Sequence, residues 1–551
     1  MTRASGRTAL ALVLLGVLIR LAAVTLSSPA GAPRLSAGSW PGDHAAYVLW
    51  ARHAVERGIH DLYAIPPAAR VPTLTAEGVK SASSGGNAVP NYPPLALYLV
   101  ALEGQLLQQV DPQMIANTVA ARWSFALFGV IGDVLLALGV GRLASQVVGV
   151  RARVPAAIAC WLLPPIWLDS CWWGQSDSWV LAPLVWMLAA MVGRRWLPAG
   201  ALWGVALALK PQALLAAPVW LFALVVERRK SEPRASARAD SSEPRASARA
   251  DSSEPRASAR ADVPAQTGLP DSQRVDSGYT PQRWSAASSR NSAQASARGS
   301  VKILGGGIVA LTVLMVTSLG FVTHDGWAWL EQSYLRNLAD EWPRTTLAAF
   351  NVWYVDLLLT FDVNVHAALL GVSRDAWGKA LTLAALAAVW WLARRRALVR
   401  AVQYVTFAAL WLLAVATVAT RVHERYIVMC LPLLCVLAWR GRRAAAAVAM
   451  LALAASFQMT HHTWLKVGAD AWSTKIRPRL VRDYEQAAAS APDGVNIRPL
   501  DEALREPFSR FRQAHRPYAP LEWLLTLGML ASTAWAAREV TRPPDAAAAV
   551  E

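Results

Sequence analysis

Long apolar runs, separated by short polar motifs, set the pattern of this chain. Runs at residues 8–25, 123–140, 154–168, 179–192, 214–226, 303–322, 381–392, 405–419 and 444–457 are nearly free of charge. A helix needs about 20 mostly apolar residues to cross the hydrocarbon core, with about 17 as the lower limit. Several of these runs reach that length only with their flanks. The pattern predicts an all-α polytopic membrane protein. Composition agrees: 54% of the residues are hydrophobic and 26 are Trp, despite one long polar insert. Cys160, Cys430 and Cys435 lie in apolar runs and Cys171 near a loop, so no disulfide framework or CxxC metal pattern appears. Arg3, Arg7, an apolar run and small residues at 28–32 also fit a signal peptide. Arg20 interrupts that run and a polar motif follows closely, so a retained first helix is expected.

Basic residues give the expected orientation, because Lys and Arg accumulate in short cytoplasmic loops. The clusters are Arg3/Arg7, Arg142/Arg151/Arg153, Arg194/Arg195, Arg228/Arg229/Lys230, Arg394/Arg395/Arg396 with Arg400, Arg440/Arg442/Arg443 and Arg538/Arg542. Two crossings separate each cluster from the next if segment 92–110, with Glu103, and segment 353–370, with Asp356 and Asp362, stay outside. The result is about twelve spanning helices with both termini cytoplasmic. The expected organisation is a transmembrane module at 1–226 with a large outer loop at 28–120, and a second module at 301–460. An outer polar segment at 461–517 and a last helix with its tail at 518–551 complete it. Between the modules, at 227–300, the unit Ser-Glu-Pro-Arg-Ala-Ser-Ala-Arg-Ala-Asp recurs from Ser231, Ser242 and Ser253. Such a near-neutral sequence has nothing apolar to bury against its ordering entropy, so disorder is expected. A tolerated expansion is favoured over a docking tether.

This topology puts five scattered motifs on one face: Gly42-Asp43-His44, Asn91-Tyr92-Pro93-Pro94, Trp173-Gly174-Gln175-Ser176-Asp177, Lys210-Pro211-Gln212 and His423-Glu424-Arg425-Tyr426. A helix from Tyr47 to Arg57 is expected in the membrane interface, with aromatic residues toward lipid. Asp43 then either caps it or does chemistry. Gln175 and Asp177 either bind sugar hydroxyls or only shape a turn whose Trp172 and Trp173 anchor in the interface. Lys210, between two apolar runs, either snorkels or lines a cavity. Arg425 and His423, with charge from Arg421 nearby, suit an anionic phosphate; an Arg425–Glu424 pair is the plainer reading. Arg20 and Asp133, inside apolar runs, are expected to face the bundle interior. His461-His462 lacks a third ligand and specifies no metal site.

Taken in order, these motifs resemble the GT-C superfamily of integral membrane glycosyltransferases that use polyprenyl-phosphate sugars. Tyr-Pro-Pro and His-Glu-Arg are most similar to the dolichyl-phosphate-glucose-dependent glucosyltransferases and their bacterial mannosyltransferase-like relatives. The resemblance covers Asp43 to Tyr426 apart from the insert. It implies a GT-C-like bundle, an inverting hexosyl transfer at the outer face of a bacterial inner membrane, and Asp43 as general base. It implies donor phosphate binding by Arg425, His423 and Lys210, and sugar or acceptor contacts from Gln175, Asp177, Glu424 and Tyr92. The implied partners are a polyprenyl-phosphate-linked sugar, a lipid- or glycan-linked acceptor and membrane lipid, with no nucleic acid, metal or cofactor. Asp43 is followed by His44 rather than a second acid, unlike protein mannosyltransferases. A flippase of lipid-linked sugars, or a non-catalytic envelope-assembly subunit, is the alternative.

Overall fold

The computed structural model describes residues 3–32, 36, 39–83, 88–229, 286–336, 344–360, 364–395, 400–464, 477–490, 499–500, 502–504, 507 and 519–542. The repeats at 231–262, Asp362, and much of the segment 461–517 lie outside the described residues.

The apolar runs fold as helices, joined by short turns and three two-stranded ribbons. The helices used below are α1 (Arg3–Leu26), α2 (Pro41–Arg57), α3 (Pro94–Val110), α4 (Val119–Val147), α5 (Arg153–Leu162), α6 (Asp177–Val192), α7 (Trp196–Leu209) and α8 (Ala217–Arg229). The chain continues through α9 (Ala286–Asp325), α10 (Val352–Thr360), α11 (Arg374–Arg395), α12 (Arg400–Val418), α13 (Leu431–Ala438), α14 (Arg442–Trp464), α15 (Arg477–Ala489) and α16 (Ala519–Thr541). Among the described residues, seven helical segments are long and apolar enough to cross a membrane. These are Gly6–Leu26, Val119–Val147, Pro211–Arg228, Gly299–Asp325, Arg374–Arg394, Arg400–Val418 and Arg442–His461. Val150–Leu162 and Pro164–Trp172 make an eighth if read as one span bent by 49°. Helices α6 and α7 are apolar but shorter. The chain is thus a multi-pass α-helical membrane protein.

The two ions set inside apolar runs, Arg20 and Asp133, are tied to each other. Arg20 on α1 places Nε 2.9 Å from Asp133 Oδ2 on α4. Its guanidinium also lies 3.5 Å from the centre of the Trp161 ring. Asp133 accepts from Ser170 Oγ at 2.7 Å and from Ser178 Oγ. One buried carboxylate therefore joins α1 and α4 to the chain on both sides of the Trp173 turn. A buried charge survives only when paired and hydrogen-bonded, and this pair is both.

Close helix approach depends on small residues, as is usual in membranes. A Cβ on Gly200 of α7 would overlap the backbone of Gly306 on α9, and one on Gly16 would overlap the Trp161 indole.

The segment between α1 and α4 departs from its expectation. Helix α2 begins at Pro41, two residues before Asp43, with Trp40 in the left-handed region as its N-cap. Proline suits a first helical position because its missing N–H would have no partner there. Asp43 is therefore inside the first turn and is not the cap. Tyr47 and Trp50 are buried rather than turned to lipid. They pack with Leu97, Phe125 and Trp329 in one apolar cluster. A short hairpin, Arg70–Thr75 paired with Gly78–Ser83, extends the segment.

The stretch 224–301 groups as a unit of its own, and its described residues are 224–229 at the end of α8 and 286–301 at the start of α9. Within it Arg228 Nε donates to Ser300 Oγ at 3.5 Å.

Candidate functional site

Three breaks in helical structure deliver the polar residues. Lys210 precedes Pro211, and a residue before proline is driven out of the helical region into extended backbone. Lys210 is accordingly extended, at φ −152°, ψ 140°, between α7 and the 3₁₀ turn Pro211–Ala216. The chain after α5 ends in a π-helical turn, Leu168–Trp172, followed by Gly174 at φ +67°. That left-handed glycine reverses the chain, and the Gln175 N–H then bonds the Asp169 carbonyl at 2.9 Å. The third break is the strand pair Thr346–Leu347 with Val422–His423, which leads into the 3₁₀ turn Glu424–Met429 bearing Arg425.

These breaks meet α2 in one cluster. Gln175 Nε2 donates to Asp43 Oδ2 at 2.9 Å. Tyr47 Oη donates to Gln175 Oε1 at 3.1 Å and lies 2.6 Å from Tyr92 Oη. Lys210 Nζ sits 5.1 Å from the centre of the Tyr92 ring and pairs with Asp177 Oδ1. Arg425 Nε lies 3.4 Å from Asp177 Oδ2, so one carboxylate faces two cations. Lys210 is only 2% exposed, which rules out snorkelling. Arg425 pairs with Asp177, although Glu424 is its sequence neighbour. Gln212 Nε2 completes the group by donating to Tyr426 Oη at 3.1 Å.

No family model and no curated protein matches the chain.

Several residues behave differently from expectation. Gln175 is spent on Asp43 and Tyr47 rather than standing open toward a ligand. Asp177 holds Lys210 and Arg425 rather than standing free for a sugar hydroxyl. Arg421 pairs with Asp375 at 3.2 Å, so its charge serves another segment. Trp173 is buried edge-on against Trp40 rather than anchored in an interface. Glu424 is fully buried, and its backbone carbonyl accepts the Gln458 amide. The His461 ring lies tilted against Phe350, with ring centres 4.9 Å apart.

His423 brings no positive charge. Burial, and then the Arg425 guanidinium, hold its imidazole down at about 3, so it is neutral at physiological pH. Its contribution is that of a neutral hydrogen-bonding ring. His44 is lowered too, by burial and then by Arg122; its Nδ1 accepts the Asn117 N–H at 3.3 Å. Both histidines have folded pKa values below the ordinary 6.5, so the unfolded chain binds more protons. Their stabilisation is complete above pH 6.5 and is lost as pH falls below it. The loss is at most about 1.4 kcal/mol per pH unit for each. The unfolding temperature in detergent should fall between pH 7 and pH 5, and the slope should flatten in His44→Asn and His423→Gln.

Two participants were missed from sequence. Asp169, fully buried, interacts with Asp177, Lys210 and Arg425. A lone acid in the apolar stretch 163–173 was the available signal, of the same kind as Asp133. Arg122 donates to the Ser39 carbonyl at 3.1 Å, and to Ser39 Oγ and Asn117 Oδ1 at 2.9 Å, with Asp43 in electrostatic range. Asp43 and Asp177 thus face Arg122, Lys210 and Arg425, with the buried Asp169 among them.

Proposed function

We propose that the protein is a GT-C-type membrane glycosyltransferase moving a hexose from a polyprenyl-phosphate sugar to an extracytoplasmic acceptor hydroxyl. The observation that carries the reading is the convergence of Asp43, Lys210 and Arg425, from three distant segments, on one cluster in a multi-pass membrane protein. An inverting transfer needs a base at one side of the reacting carbon and cations at the other. Asp43 takes the proton of the acceptor hydroxyl as its oxygen bonds to the anomeric carbon. The bond from that carbon to the phosphate oxygen breaks, and polyprenyl phosphate leaves with the electron pair. Arg425 and Lys210 stabilise its charge, and a neutral His423 adds a hydrogen bond. Tyr92, Asp177 and Glu424 remain candidates for sugar or acceptor contacts.

The seven long helices, the bent pair, α6, α7, the segment 424–438 and α16 are enough for about twelve spans with both termini cytoplasmic. That topology, in a bacterial inner membrane, is part of the proposal.

The bend at Pro164 favours a second reading, since transporters use interrupted helices near their binding sites. Transfer assays in membranes with a panel of labelled polyprenyl-phosphate sugars separate the two. Donor-dependent product supports the enzyme; sugar reaching the far side without a new glycosidic bond supports a flippase. In the enzyme, Arg425→Lys should raise the donor KM and lower kcat, together about a hundredfold in kcat/KM. A lysine loses the planar fork that grips phosphate oxygens. Titrating the donor checks it; an unchanged kcat/KM would remove Arg425 from the phosphate site.

A further inference from the structure

Asp43 and Tyr47 lie four residues apart on α2, hence on one face of the helix. The Gln175 amide bridges them, and its orientation follows from elementary chemistry. A carboxylate only accepts hydrogen bonds, so the edge toward Asp43 Oδ2, at 2.9 Å, must be the NH2. The carbonyl edge then faces Tyr47 Oη at 3.1 Å, and the tyrosine must donate to it. A phenol has one proton, so the 2.6 Å contact between Tyr47 and Tyr92 runs from the Tyr92 hydroxyl to the Tyr47 oxygen. A directed chain results, from Tyr92 through Tyr47 and Gln175 to Asp43. Gln175 is 2% exposed and Tyr47 is 6% exposed, so water is a poor substitute for either partner. The Tyr47 ring is itself clamped by Trp50 and Phe125.

We propose that Tyr47 is a positioning residue for Asp43, acting through Gln175. The proposal rests on reading Asp43 as the general base. The Tyr47 hydroxyl pins the amide, the amide fixes the carboxylate and donates to it, and that donation favours the ionised, proton-accepting form. The far end of the chain lies under the Lys210 ammonium, so the base and the cations share a support through Tyr92.

The test is steady-state transfer across pH for wild type, Tyr47→Phe, Gln175→Ala, the double variant and Asp43→Asn, with a labelled polyprenyl-phosphate sugar. Phenylalanine keeps the ring packing and removes only the hydroxyl. Tyr47→Phe should lower kcat about tenfold, in the range that misplacing a reacting group costs. Donor KM should stay within about twofold. The acid limb of kcat/KM should move to higher pH, because the carboxylate loses a firmly held donor. The double variant should be no slower than Gln175→Ala alone, since Tyr47 has nothing to act through once the amide is gone. Tyr92→Phe, which removes the start of the chain, should move the acid limb the same way with a smaller loss. An unmoved acid limb in both phenylalanine variants, or multiplicative losses in the double variant, would overturn the proposal while leaving Asp43 as base. Transfer that survives Asp43→Asn would overturn both. Should Tyr47→Phe fail to fold, as judged by its unfolding midpoint, Tyr92→Phe decides by the same limb.

Discussion

Replacing Asp43 by asparagine should lower kcat for sugar transfer about a thousandfold, within the range of about 10²–10⁴ that a positioned base contributes. The change removes the proton acceptor and keeps the size of the side chain. Gln175 Nε2, which donates to Asp43 Oδ2 at 2.9 Å, can still donate to an asparagine carbonyl, so the local bonding survives. The donor KM should change little, because the cations holding the phosphate, Lys210 and Arg425, face Asp177 rather than Asp43 in their short contacts. Rates and donor binding measured on the same purified protein check both halves. A variant that transfers sugar at the wild-type rate would mean the acceptor proton goes elsewhere. A variant that transports without transferring would favour the flippase.

The second large effect is on stability. Asp133→Ala should destabilise the helical bundle by about 3–5 kcal/mol, the usual cost of leaving a buried charge without its partner. Arg20 would lose its two contacts of 2.9 Å with Asp133, keeping the Gly16 carbonyl at 3.2 Å and the Trp161 ring. Water cannot reach it, since Arg20 is 2% exposed. Replacing both charges, Arg20→Met with Asp133→Leu, should recover much of the loss, because an apolar pair carries no desolvation penalty. Unfolding midpoints of the three proteins in one detergent test this. Equal destabilisation by the single and double variants would show that the site is held by packing rather than by its charges.

The fold class was legible in the sequence because lipid imposes a simple rule. Backbone groups in hydrocarbon must satisfy one another, so apolar runs of sufficient length become helices. The runs at 8–25 and 303–322 accordingly sit inside Gly6–Leu26 and Gly299–Asp325, and all but the last residue of 405–419 sits inside Arg400–Val418. The polar motifs were legible as well, since each lies outside or between such runs. The surroundings of α2 were not. Its composition suits a lipid interface as well as a packed core, and Tyr47 and Trp50 entered the core because α3, α4 and the 327–334 turn cover them.

Partner choice was likewise a tertiary matter. Nothing in the sequence says that Arg425 answers Asp177 instead of Glu424, or that Gln175 reaches back 132 positions to Asp43. Asp169 was overlooked because an isolated acid in an apolar run reads as an interruption until its neighbours are known.

The sequence by itself determined that this chain is a multi-pass helical membrane protein with polar motifs outside and between its apolar runs. Those properties depend on local composition and on the solvent, and both are readable one segment at a time. The tertiary structure alone decided which charges meet and that His423 is a neutral ring. It also decided that one glutamine ties a carboxylate to a tyrosine. Burial and distance between remote segments set those outcomes, and electrostatic energy depends on both far more steeply than on anything written locally in the chain.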